Sequence, residues 1–390
     1  MSRIARRSLL GGAAALSIAA LTALSGCSLS ATTGPSPDAS AGSTDPVYFG
    51  VSAPLTGNLA EYGRLWQQGF ELALEKVNAE GGIDGRPVEL VWEDSQSDPK
   101  QSTAVAQKFV ADERIIAELG DFSSNASIAA SPIYSAGGLV QFGFTNSNPD
   151  FTLKGDEYQW STSLTQDFFQ DWNAQIAKEY ADTVAVVYQE TDWGKGAFEY
   201  FKAAAEEIGL DIVYSSAFLP DSTDFRPILI QARDAQPEAF VHIGYGPDGA
   251  LIANQLRDVG YDGPFFGGQN TPEFTEAAAE AAEGDIISGA FIADDPAPEV
   301  QEFVAAYKAK WPDEEPGDFN VYAYDALIVL VEAARHGGPT REGVLKGFQE
   351  VESFPSVQWG PFSFDQETRR PADPQLKEII LRDGRFVLND

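Results

Sequence analysis

Two loops carry the residue types best suited to chemistry. Gly120-Asp121-Phe122-Ser123-Ser124-Asn125 follows one apolar, strand-like run and opens a helical one. Thr145-Asn146-Ser147-Asn148-Pro149 follows the next strand-like run. The first turn of a helix has unpaired N–H groups and the positive end of the dipole, which favour an anion. Ser123 or Ser124 could equally serve as a plain N-cap. In an open α/β sheet, ligands collect beyond the carboxyl ends of the strands. Two hydroxyl-rich loops at that end of adjacent strands make a cradle for a carboxylate, so the chemistry indicated is non-covalent recognition.

Groups for bond-making are scarce. The chain has two histidines, His242 and His336, and one cysteine. Common zinc sites and a Ser-His-Asp triad lack their material, and no G-x-S-x-G occurs. His242 lies inside an apolar run and reads as a core histidine. Glu93-Asp94 and Asp294-Asp295 are adjacent pairs, which on a strand point to opposite faces. Gly244-Tyr245-Gly246-Pro247-Asp248-Gly249 fits G-x-G-x-x-G. There, Pro247 removes an N–H that a pyrophosphate needs and Asp248 would repel it. The segment reads as a glycine turn. No catalytic residue, metal or cofactor is expected.

The elements that must position the loops alternate strand and helix. Val47–Val51 is β-rich, and Trp66, Phe70, Ala73, Leu74 and Val77 share one helical face. Strands follow at 88–92, 115–119 and 139–144, with helices at 99–112 and 125–136. The alternation restarts with strands at 183–188, 212–218, 239–243 and 264–266, separated by helices at 194–208, 223–235 and 249–259. Helices at 299–310, 320–335 and 341–351 come next, then strand-like pieces near Phe362 and at 379–381. Such alternation predicts an α/β fold with two parallel sheets.

Ahead of this lies an export signal. Arg3, Arg6 and Arg7 precede a short apolar run ending in Leu24-Ser25-Gly26-Cys27. Cys27, the only cysteine, stands where a bacterial lipobox puts its lipidated residue. Arg6-Arg7 also admits twin-arginine export. The segment 28–45 is Ser-, Thr-, Gly- and Pro-rich, the composition of a tether reaching roughly 20–25 Å. The chain has a net charge of −33, or −36 without the three leader arginines. That surface repels nucleic acid and anionic lipid, so the expected anchor is the lipid on Cys27, at the outer face of the cytoplasmic membrane.

From Val47 onward the chain resembles the branched-chain amino acid-binding (Leu/Ile/Val-type) family of periplasmic binding proteins. The resemblance rests on Leu55-Thr56-Gly57-Asn58-Leu59-Ala60-Glu61-Tyr62-Gly63, Asn78-Ala79-Glu80-Gly81-Gly82-Ile83-Asp84-Gly85-Arg86, Asp94-Ser95-Gln96-Ser97-Asp98-Pro99 and Tyr322-Ala323-Tyr324-Asp325-Ala326. It implies two Rossmann-like lobes, the type I periplasmic binding protein fold, joined by a three-crossing hinge. The lobes would be 46–165 plus 295–352, and 166–294 plus 353–390. It also implies a small-molecule ligand, ABC permease subunits as partners, and a monomer. Ser124, Asn125 and Ser147 would hold a carboxylate, with the Thr145 carbonyl and Asp167 on the ammonium side. Trp193, Tyr62, Tyr245 and Phe319 would face the ligand.

Two positions depart from the family's pattern. Gln269 stands where some relatives have a second acid, and Thr162 where an arginine is common. A buried ammonium needs charge or several acceptors, so amides, urea and aromatic acids remain open beside amino acids. The function expected is solute capture for an ABC importer. A ligand-presenting sensor or an exported hydrolase of small amides are the alternatives.

Overall fold

The strand–helix alternation read from the sequence runs through the computed structural model, which describes residues 45–389 apart from 279. The leader, Cys27 and the tether up to residue 44 lie outside the described residues. The first set comprises β1 (Val47–Ala53), α1 (Ala60–Ala79), β2 (Val88–Asp94), α2 (Pro99–Ala111), β3 (Ile115–Gly120), α3 (Ser124–Ala136), β4 (Val140–Gly143), α4 (Asp150–Leu153) and β5 (Gln159–Ser161). Its strands form one parallel sheet in the order β2-β1-β3-β4-β5.

After a first crossing come α5 (Gln166–Tyr180), β6 (Thr183–Gln189), α6 (Asp192–Ile208), β7 (Asp211–Phe218), α7 (Arg226–Asp234), β8 (Ala239–Ile243), α8 (Gly246–Asp258), β9 (Phe265–Phe266), α9 (Pro272–Ala278) and β10 (Ile286–Gly289). Strands β7-β6-β8-β9 make the second parallel sheet. The chain then returns through α10 (Pro298–Lys310), α11 (Asp318–Gly337), α12 (Arg341–Glu350), β11 (Phe364–Asp365) and β12 (Arg370–Pro371). A third crossing leads to β13 (Lys377–Arg382) and β14 (Arg385–Leu388), antiparallel beside β10.

The first lobe is built on α1 and α11. Trp66, Phe70 and Val77 sink into the same core as Leu327, Leu330 and Ala334. A buried Trp covers about 150–250 Å2, up to ~4–6 kcal/mol at 25 cal/mol per Å2. The helices touch at Gly69, where a Cβ would come 2.1 Å from the Asn320 carbonyl oxygen. Any side chain there would prise α11 away, and α11 carries part of the cleft.

The last crossing differs from the expectation at residue 353. Phe354 and Phe364 pack in the first-lobe core. Asp325 of α11 accepts the Ser356 hydroxyl at 2.7 Å and the Val357 N–H at 2.8 Å. Residues 354–371 therefore stay with the first lobe, because a buried carboxylate needs those donors. Only β13 and β14 reach the second lobe. No helix among the described residues is long and apolar enough to cross a membrane.

Candidate ligand-binding site

A cavity of about 210 Å3 lies between the lobes, beyond the carboxyl ends of both parallel sheets, as open α/β sheets favour. The first lobe supplies Phe122 and Ser124 from the turn between β3 and α3, and Thr145 and Ser147 from the loop after β4. Ser123 is the N-cap of α3, accepting the Ala126 N–H. Ser124 is thereby freed to face the cleft, and its Oγ accepts the Asn148 N–H at 3.2 Å. The Thr145 hydroxyl donates to the Phe122 carbonyl at 2.9 Å. These bonds fasten the two hydroxyl loops to each other.

The second lobe answers with Trp193 at the start of α6, Tyr245 before α8 and Gln269 after β9. Trp193 and Tyr245 stack, ring centres 5.0 Å apart. The Trp193 indole N–H donates across the cleft to Ser147 Oγ at 2.9 Å. Tyr62, on α1, is fully buried; its hydroxyl donates to Gln269 Oε1 at 2.5 Å and accepts the Gly246 N–H at 2.9 Å. Gly246 N–H also reaches Gln269 Oε1 at 2.8 Å. With Oε1 taking two donors, the Gln269 amide turns its Nε2 end outward, a donor that suits an acceptor on the ligand rather than an ammonium. Rings of Tyr62, Phe122 and Phe319 close the first-lobe side, with Tyr62 on Phe122 at 4.2 Å and on Phe319 at 4.7 Å.

Of the sequence-predicted residues, Ser124, Thr145, Ser147, Trp193, Tyr245, Gln269 and Phe319 line the cavity. Tyr62 sits behind it, holding Gln269. Asn125 and Asp167 do not line it. Asn125 is half-buried on α3, one step past Ser124. Asp167 is exposed on α5. Successive helical residues point about 100° apart, and here Gln166 and Gln170 take the inward direction. Asp318, at the start of α11, is the carboxylate that does line the cavity. Its Oδ1 accepts from Asn270 at 3.2 Å, and burial pushes its carboxyl up to about 7.

Arg370 is a further site residue that no local sequence pattern marks. It is buried beneath the Ser147 loop, near the position where Thr162 replaces an arginine. Its guanidinium donates to the carbonyls of Asn146 at 2.8 Å and Asn148 at 3.1 Å, to the Ser163 carbonyl, and to Thr152 Oγ1 at 3.0 Å. Burial brings it down to about 9. His242 behaves as a neutral core residue, pushed down to about 4 by burial, with Nδ1 against the Gly267 carbonyl at 2.9 Å. Among the described residues no cluster of His, Cys, Asp and Glu could hold a metal ion.

Comparison with known proteins agrees with this geometry. The family model described as periplasmic binding protein matches residues 46–375. A Leu/Ile/Val-binding protein homolog of Brucella melitensis is 28% identical over 344 residues, 86% of this chain and 89% of its own length. A leucine-, isoleucine-, valine-, threonine- and alanine-binding protein of Pseudomonas aeruginosa is 29% identical over 332 residues, covering 83% of this chain and 87% of the relative. Among solved structures, a branched-chain amino acid transporter substrate-binding protein from Streptococcus pneumoniae, in complex with isoleucine, superposes with a TM-score of 0.81. It has 26% identity and covers 87% of this chain and 97% of its own. A leucine-binding protein from Thermotoga maritima gives 0.81 at 26% identity, covering 88% and 98%. These relatives are solute-binding proteins rather than enzymes, and the chain belongs to the periplasmic binding protein family.

Proposed function

We propose that the chain is the extracytoplasmic solute-binding component of an ABC importer, capturing a small carboxylate-bearing ligand, an amino acid or a related amide, by closing its lobes. The observation that carries this reading is the Trp193–Ser147 bond across the cavity. A residue expected to pack on the ligand is tied to one expected to hold its carboxylate, from opposite lobes. Ser124 and Ser147 hold the carboxylate, helped by free N–H groups in the first turn of α3, to which Asn125 contributes its backbone. The Thr145 carbonyl and Asp318 take the ammonium, in place of Asp167. Trp193, Tyr245 and Phe319 cover the ligand, and Gln269 donates to it.

The family's relatives support the ligand class, since their names include neutral amino acids. The closed, loaded form docks on the permease subunits as a monomer. Lipid on Cys27 holds the chain at the outer face of the cytoplasmic membrane, with 28–45 as tether. Differential affinity for the closed arrangement drives the hinge.

The test is thermal unfolding of the purified protein against amino acids, their deaminated analogues, amides, urea, polyamines, aromatic acids and sugars. A ligand at 100 times its Kd adds about 2.7 kcal/mol, a rise of several degrees. Stabilisation by amino acids or their amides is the expected result. A response confined to sugars or polyamines, or a flat panel with folded protein, overturns the reading.

A further inference from the structure

The cavity does not stop at the cleft. It runs on along α5 into the second lobe, past Gln166, Phe169, Gln170, Asn173 and Ile176. These positions share one face of the helix, at steps of three and four residues. From Gln166 to Asn173 is seven residues, about 10.5 Å at 1.5 Å per residue. The opposite wall comes from the sheets. Val241 and Ile243 alternate onto the α5 side of β8, and Ile286 and Ser288 onto the α5 side of β10.

The far end of this inner chamber is polar but uncharged. Asn173 Nδ2 reaches Gln170 Oε1 at 3.5 Å, and the Ser288 hydroxyl reaches Asn173 Oδ1 at 3.4 Å. Both contacts sit at or beyond the outer edge of hydrogen bonding. These three polar side chains, Gln170 buried and Asn173 and Ser288 half-buried, bond one another only loosely and keep donors and acceptors for a ligand. No Asp, Glu, Lys or Arg lines this part of the cavity. The first-lobe direction is meanwhile closed by the Tyr62, Phe122 and Phe319 rings.

We infer that the chamber beside α5 is a second subsite that takes the ligand's tail: a slender, unbranched apolar chain ending in a neutral group that both donates and accepts, such as an amide or hydroxyl. This deepens the proposed function and rests on it, because Ser124 and Ser147 must first fix the carboxylate end. Gln170 lies four residues, about 6 Å, along α5 from Gln166, and a tail of five bonds of ~1.5 Å, at most ~7.5 Å long, brings its end to the Gln170–Asn173 cluster. Valine-like branching at the β-carbon places bulk at the chamber's mouth, between Trp193 and Gln166, instead of along it.

The test uses the purified full chain and isothermal titration with alanine, norvaline, norleucine, 2-aminoheptanoate, leucine, isoleucine, glutamine and homoglutamine. In the straight-chain series affinity should rise about fourfold per added methylene, the equivalent of ~0.8 kcal/mol per buried CH2. Homoglutamine should exceed norleucine and isoleucine by about tenfold. Asn173→Leu, which fills the chamber, should remove the gain for long ligands while leaving alanine binding within about twofold. Ser288→Ala, a milder change that empties rather than fills, should lower homoglutamine affinity several-fold and leave norleucine unchanged. Alanine binding reports that each variant is folded.

If leucine or isoleucine binds best and Asn173→Leu alters no affinity, the chamber holds water only and the inference is overturned while the proposed function stands. If no amino acid of the series binds the folded parent protein, the proposed function fails and the subsite with it.

Discussion

Trp193 Nε1 stands 2.9 Å from Ser147 Oγ, and that one bond ties the N-terminus of α6 in the second lobe to the loop after β4 in the first. A second tie runs beneath it: the Gln166 N–H donates to the Ser147 carbonyl at 2.7 Å, and the Gln166 side chain donates to the Trp193 carbonyl at 2.8 Å. Ser147, Gln166 and Trp193 thus form a triangle whose corners lie on the first lobe, at the hinge exit and on the second lobe. Its geometry exists only with the lobes together.

Trp193→Phe keeps an aromatic ring over Tyr245 but removes the donor. The net worth of one such bond is about 0.5–1.5 kcal/mol, so ligand affinity should weaken by roughly twofold to twelvefold. The loss should appear mainly as faster dissociation, because the bond forms on closure. Titration calorimetry and stopped-flow fluorescence measure both, and an unchanged dissociation rate would show that the bond contributes nothing to retention.

Arg370→Lys tests the support beneath the same loop. The guanidinium meets five separate acceptors, all neutral oxygens. A lysine offers three donors from a single point and cannot reproduce that fork. Unfolding in urea should show a loss of about 2–4 kcal/mol. Hydrogen exchange should quicken at Asn146–Asn148 before the rest of the sheet. A loss below about 0.5 kcal/mol would mean that water replaces the guanidinium without consequence.

How legible each part was depends on the range of the signal. The hydroxyl loops are legible because N-caps and turns use Ser and Asn at fixed offsets from a strand end, and both loops do face the cavity. Helix α5 is amphipathic and buries Ala174, Ile176 and Ala177, but its inward face also carries Gln166, Gln170 and Asn173, and polar residues on a helix give no sign by themselves of the chamber they line. Asp318 looks like an ordinary acid in a helix's first turn; only Asn270, brought from the other lobe, makes it a cavity wall. Arg370 is 224 residues from the Asn146 carbonyl it supports, a pairing that no local pattern announces. The position of the third crossing is hidden for a similar reason, since the link from Asp325 to residues 356–358 spans 31 to 33 residues.

Asp318 should make ligand binding depend on pH. Its carboxyl is raised from 3.8 to about 7 by burial. A raised carboxyl stabilises the fold fully below pH 4 and loses that contribution as pH climbs through about 7. An ammonium bound beside it favours the charged form and reverses the preference. Relative to its deaminated analogue, an amino acid should therefore gain affinity between pH 5 and 8, releasing more protons on binding than the analogue does. Asp318→Asn should make the two pH profiles run parallel. Identical profiles for the two ligands in the parent protein would remove Asp318 from the ammonium site.

The closure surface carries its own titration at Glu61 of α1 and Glu273 of α9, which face each other from opposite lobes. Glu61 Oε1 and Glu273 Oε2 are both buried with no donor. Burial and then the Glu273 carboxylate hold Glu61 well above its usual 4.5, whereas Glu273, against its own burial, is held low first by the Glu61 carboxyl and then by Arg64, which pairs with it at 3.1 Å and also binds Glu314 at 3.0 Å. Each carboxylate disfavours ionisation of the other, so Glu61, the more buried, is the one that stays protonated. With the lobes apart, Glu61 returns to ordinary carboxylate behaviour, so closing the lobes above about pH 4.5 takes up a proton. Ligand affinity, measured with a deaminated acid, which lacks the ammonium and so leaves Asp318 aside, should then fall as pH rises from 5 to 8. Glu61→Gln supplies a permanent donor to Glu273 and should abolish that fall, with affinity at pH 8 at or above that of the parent protein. If the parent's affinity for the deaminated acid is flat with pH and Glu61→Gln changes nothing, the two carboxylates meet through water and do not gate closure.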